Sequence, residues 1–200
     1  MSFLSKGRRG NKTEEPPMAE PTATHLAVVE FWMAGERTLA GMDLSQGRLT
    51  DLINRQDILP VVLLEERPED LSQPIEKRAD QQWTHFLIWD ALLILPPPQA
   101  TDPSRRLHRP KQPVEIVIGR FIITGMVHIP PGAQAAGFLL RQNLRFAPIT
   151  RAVVRDGERE GFEQRADVVL VNMRRVETMR DIGLEEPEGI AWSEAVAGSD

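Results

Sequence analysis

The chain has 200 residues, 41% hydrophobic and 26% charged, the balance of an ordinary globular protein, which excludes disorder throughout. It holds no cysteine, so disulfides, thiolate nucleophiles and cysteine-ligated zinc are excluded together, and a reducing, cytoplasmic setting is expected. The net charge of −5 is unevenly spread: residues 25–97 carry 6 basic against 12 acidic side chains and residues 114–180 carry 10 against 7, a split that bears on association and steering, not on fold.

Residues 1–24 place Pro16, Pro17 and Pro21 among charged and small residues with no apolar period, which predicts a disordered N-terminal tail. The tail lacks the apolar stretch of a secretory signal, and no run of the chain approaches the roughly 20 apolar residues of a membrane span.

"HLAVVEFWMAG" from His25 predicts a strand, "ERTLAGMDL" a second, and "RLTDLIN" a short helix, with Leu49, Leu52 and Ile53 on one face and Thr50 or Asp51 placed to cap it. "ILPVVLLEE" returns to a strand, "RPEDLSQPIEKRADQQ" reads as a long polar loop, and "WTHFLIWDALLILPPP" as two short strands broken at Trp89-Asp90. In "FLIWDALLIL" apolar residues are near-continuous instead of alternating, so that strand should be covered on both faces.

A segment with six prolines between Pro96 and Pro113 predicts an extended linker over 98–113. After it the same order of elements recurs: "VEIVIG", "RFIITGMVHI", the turn "PPG", a helix "AQAAGFLLRQ", the strand "FAPITRAVVRD", a tip "GEREGFEQRA" and the closing "DVVLVNMRRVETM". Gly41-Met42 answers Gly125-Met126, Arg55-Gln56 answers Arg141-Gln142, and Pro60 answers Pro148. An ordered series of matches over about 65 residues points to duplication. The expected architecture is mainly β: two tandem, small, strongly bent β-barrels over 25–97 and 114–180, each with one short helix, and an acidic tail over 181–200.

The strand order, the bends at glycine and the closing pair around "VLVNMRRVETM" resemble Sm-like and SH3-like barrels. "GRLTDLINRQDILPV" further resembles a group of bacterial small-barrel domains that carry a short Leu-x-Asp-x-Leu-Asn helix before a Leu-Pro strand. The resemblance covers most of 26–97 closely and 114–179 more loosely, since the second copy lacks counterparts of Asp51 and Asn54. It implies a fold, not an activity.

Chemistry is sparse. The seven serines have no nucleophile elbow, and His25, His85, His108 and His128 lack the paired spacing of a metal site. The acidic "EERPED" falls in a loop, where a solvated tip explains it. "DLSQG", Asp43 to Gly47, is one residue short of the Asp-x-Ser-x-x-Gly motif of PilZ cyclic-dinucleotide-binding barrels, and no Arg-x-x-x-Arg precedes it; a tight turn accounts for it. No catalytic, cofactor or metal site is therefore expected. The favoured reading is a non-catalytic interaction or assembly module that binds other proteins or itself, with an RNA-binding Sm-like adaptor as the alternative. The candidate partner-binding residues are the tryptophans Trp32, Trp83 and Trp89 and the basic residues Arg105, Arg106, Arg109, Lys111, Arg141 and Arg145, which would serve RNA phosphates in the alternative.

Overall fold

The computed structural model describes residues 25–45, 47–98 and 110–182. The first half supplies β1 (His25–Trp32), β2 (Arg37–Met42), helix α1 (Leu49–Arg55), β3 (Ile58–Leu64), the two-residue β4 (Ile75–Glu76), β5 (Thr84–Leu87) and β6 (Leu93–Leu95), with a single 3-10 turn over Ile88–Asp90 between the last two. The second half supplies β7 (Lys111–Ile118), β8 (Phe121–His128), helix α2 (Ala135–Arg141), β9 (Phe146–Asp156), β10 (Glu163–Asn172) and β11 (Thr178–Asp181). Residues 1–24, 99–109 and 183–200 lie outside the described residues; Asp181, expected in the acidic tail, instead ends β11 opposite Val114.

All strands join one antiparallel sheet in the order β11-β7-β8-β9-β10-β6-β1-β2-β3-β5, with β4 on the side of β1. With the two-residue β4 set aside, both halves thus run last strand, first, second, third, then the strand that precedes the last. Two separate closed barrels, the expectation from sequence, do not form. A barrel would need β10 to return to β11, and β5 to β6; instead β10 pairs with β6, Leu170 opposite Ile94 and Val171 opposite Leu93. The strand edges that would close each half are used to join the two, and β5 and β11 end the sheet.

Other differences are local. Lys111 to Pro113, expected in the linker, pair with His128 to Met126 as the start of β7, and Glu163 to Ala166, expected in a tip, pair with Arg155 to Ala152. Helix α1 begins one residue before the expected caps, and Arg48 at the N-cap position makes no side-chain capping bond.

The sequence repeat is also out of step with the structural one. Gly41 pairs with Val62, and Met126 with Thr150; Pro60 and Pro148, two residues earlier on β3 and β9, pair with His85 and Leu170. Aligning the ladders through the two prolines sets Gly41 opposite Met126 and Met42 opposite Val127, one residue from the Gly-Met match. The faces agree with this register: Met42 and Val127 are both buried at 2% exposure, whereas Met126 is only half-buried. In a strand a one-residue slip exchanges core and solvent faces, so burial selects the register.

Each half has its own apolar cluster, and each cluster borrows from the other. The first, around Val29, Phe31, Met42, Ile53 and Leu59, takes in Phe146 and Leu170 from the second half. The other, around Ile116, Phe121, Ile149 and Val154, takes in Trp32, Leu92, Leu93 and Leu95 from the first. β6 is therefore apolar on both faces because a different cluster covers each, Ile94 on one side and Leu93 and Leu95 on the other.

Candidate interaction site

The junction between the halves is built by strand ends and by the helix that precedes β3. Asn54, in the last turn of α1, donates from Nδ2 to the Phe146 carbonyl at 3.0 Å and accepts the Phe146 N–H on Oδ1 at 2.9 Å. At the end of β10, the Asn172 N–H donates to Leu92 O at 3.0 Å and its Nδ2 to Ala91 O at 2.8 Å. Arg145, immediately before β9, ion-pairs with Asp57, donates to Gln56 O at 2.8 Å, and lays its guanidinium 4.2 Å from the Trp89 ring centre. Arg174 approaches the same ring at 5.0 Å.

A second contact lies at the far side of the junction. Arg37 on β2 sits 3.6 Å from the ring centre of Trp32 and 4.5 Å from that of Phe162, and donates to Gln164 Oε1 at 3.2 Å. Glu30, 5% exposed, faces Arg37 at 3.9 Å and Arg67 at 3.5 Å. Burial pushes the Arg37 guanidinium below its usual pKa; Glu30 opposes this and Arg120 adds to it.

The candidate residues from sequence divide accordingly. Trp32 is fully buried against the second half's cluster, so it packs the two halves together and presents no surface to another molecule. Trp83 is half-buried. Trp89 is 39% exposed but already stacked by Arg145 and Arg174. Arg145 is consumed by the junction, its side chain 10% exposed. Arg141 is exposed on α2, and Lys111 is exposed at the start of β7; these two are not brought together with the tryptophans into one basic, aromatic groove. Arg105, Arg106 and Arg109 lie outside the described residues.

Sequence reasoning missed the clearest surface feature. Ile58 (40% exposed) and Leu87 (53%) are cross-strand partners on β3 and β5, and among the described residues β5 has no strand on its other side. Leu140, 68% exposed, stands on α2 beside the buried pair Ala135 and Leu139. The available signal was positional: a leucine off the apolar stripe of a short helix, and an apolar residue ending a strand next to a turn.

Among the described residues, no three side chains of metal-binding type converge and no helix is long and apolar enough to cross a membrane. A shallow depression over Met33, Ala34, Gly35, Glu36, Asp90 and Arg175 is open to solvent and sets no nucleophile beside a base. At Asp43 the carboxylate accepts the Ser45 N–H at 2.8 Å, the tight turn expected for "DLSQG". Compared with protein-family models, with curated proteins and with solved structures, the chain matches none.

Proposed function

We propose that the chain is a non-catalytic interaction and assembly module, a scaffold of two Sm-like or SH3-like units acting in the bacterial cytoplasm without a cofactor. The observation that carries this reading is the open edge of β5 with Ile58 and Leu87 exposed along it. An unpaired edge presents backbone donors and acceptors to an incoming strand, and neighbouring apolar side chains give it affinity and register. The shared strand order of the halves supports the two-unit description, and the cysteine-free composition suits a reducing compartment.

The RNA-binding alternative draws less support. Single-strand binders combine a positive groove with exposed stacking rings, and here Arg145 and Trp89 are engaged with each other and with Asp57. The test is retention of protein partners by the immobilised full chain, wild type against Leu87→Asp, beside titration with single-stranded RNA at low and physiological salt. Partners lost from the variant and no salt-sensitive RNA binding are the expected results. Salt-sensitive RNA binding that Leu87→Asp leaves unchanged would overturn the reading.

A further inference from the structure

We infer that the partner of the β5 edge is a second copy of this chain, docked head to tail by repeating the junction that joins the two halves. The inference rests on the assembly reading above and adds the occupant.

The register defines the equivalences. His85, Phe86 and Leu87 on β5 correspond to Leu170, Val171 and Asn172 on β10, because Pro60 pairs with His85 as Pro148 pairs with Leu170. At the other end of the sheet, Thr178 and Met179 on β11 correspond to Leu93 and Ile94 on β6. Leu93 and Ile94 pair with Trp32 and Phe31, and Thr178 and Met179 with Val117 and Ile116. The two helices, each of 7 residues, end in Arg55 and Arg141, so Asn54 corresponds to Leu140. The two edges of the sheet left unpaired among the described residues are thus the counterparts of the two edges already paired inside it.

Of the five exposed large hydrophobic residues among those described, Ile58, Leu63, Leu87, Trp89 and Leu140, three fall at these positions. Phe146 and Asn172 are buried at the internal junction, and their counterparts Ile58 and Leu87 are 40% and 53% exposed. Asn54 is bonded across that junction to Phe146, and its counterpart Leu140 is, among the described residues, the most exposed of the large hydrophobic ones, at 68%. A repeated junction would set Leu140 of one copy against Ile58 of the next, an apolar pair in place of an amide on a backbone.

The outer junction is the weaker of the two. Thr178 and Arg180 are exposed where Leu93 and Leu95 are buried, and His85 stands for Leu170. Association is therefore reversible and concentration-dependent, with a Kd on the order of micromolar for a small, partly polar contact. The contact is heterologous, so copies add in one direction, into a ring or a filament according to the angle between them.

The experiment is sedimentation velocity of the full chain over about a hundredfold range of concentration, with Leu87→Asp and Leu140→Asp. Both side chains are exposed, and an unchanged unfolding midpoint checks that the variants fold. Wild type is expected to grow with concentration. Each variant has one blocked end and is expected to stay monomeric. Mixed together, the variants have one compatible pair of ends and should form a 1:1 dimer. A wild type that stays monomeric, a Leu140→Asp chain that assembles like wild type, or a mixture that yields no dimer would each overturn the inference. A monomeric wild type that still retains a Leu87-dependent partner would sink the self-assembly inference alone. A monomeric wild type that retains none would sink the interaction reading with it.

Discussion

The side-chain amide of Asn54 completes both backbone hydrogen bonds of Phe146, 92 positions along the chain, with the donor at 3.0 Å and the acceptor at 2.9 Å. An amide is the side-chain group that presents one donor and one acceptor side by side, matching the N–H and C=O of a single residue. Asn54→Leu places at this site the residue found at the equivalent position 140, and it leaves both Phe146 groups short of a partner at a partly buried junction. The expected loss is about 2 kcal/mol, read as a lower urea midpoint with the slope unchanged.

Arg37 holds the other side of the junction, between the faces of Trp32 and Phe162 and beside the buried Glu30. Arg37→Ala removes the stacked plane and leaves Glu30 with Arg67, whose side chain is 54% exposed. Removing one partner of a buried charge is costly because the other stays desolvated, and a loss of about 2 kcal/mol is expected. Arg37→Lys restores the charge but not the planar stack, so it should recover less than half of that loss in thermal unfolding. Full recovery by lysine would show that charge alone matters there.

The elements were legible in the sequence and the connection between the halves was not. β9 runs over the expected Phe146 to Asp156, α1 includes the expected Leu49, Leu52 and Ile53, and the break at Trp89-Asp90 is the 3-10 turn. The near-continuous apolar run from Phe86 to Leu95 signalled a strand with two covered faces, which holds for β6, since alternation disappears when both sides of a strand are buried, and fails at the end of β5, where Leu87 is 53% exposed. Closed barrels and open joined units, however, use the same strands with the same patterns. The difference is one pairing, β10 with β6 instead of β11, and a pairing between strands 76 residues apart leaves no local trace. The Gly-Met echo misled by one residue because identity was read where face was the constraint. The partner-binding tryptophans failed for a related reason: Trp32 is large and apolar enough for either a surface anchor or a core, and only the tertiary contact decides.

Glu163 gives the acid side of stability a defined sign. Its carboxylate accepts from Arg155 across the strand pair at 3.2 Å and from Arg165 at 3.2 Å, and these bonds, Arg155 first, hold its pKa below the ordinary 4.5. A group whose pKa is lower folded than unfolded stabilises above its unfolded value and loses that contribution as pH falls through the folded one. Wild type should therefore melt above Glu163→Gln at neutral pH, by a small margin because the group is solvated. The two melting temperatures should converge below the ordinary carboxylate range. A gap that widens on acidification would contradict the assignment.

Gly125 and Gly41 look alike in sequence and should respond differently to a methyl group. Thr124 pairs with Val153 and Met126 with Thr150, so Gly125 faces two residues of β9, Arg151 and Ala152, at a bulge where Arg151 adopts φ 49°. Bulges crowd the opposite strand, and a Cβ on Gly125 would lie 2.5 Å from Ile149 Cγ2, 3.0 Å from the Thr150 carbonyl oxygen and 3.2 Å from Ala152 Cα. Two of those three are backbone atoms that cannot rotate away. At Gly41 the nearest atoms are Leu26 Cδ1 at 2.9 Å and Cβ at 3.1 Å, and the leucine tip can move. Gly125→Ala should cost about 3 kcal/mol and Gly41→Ala about 1 kcal/mol, the upper and lower ends of the usual overpacking range. Thermal unfolding of the two variants measures the difference, and equal losses would mean that the bulge yields as readily as a leucine side chain.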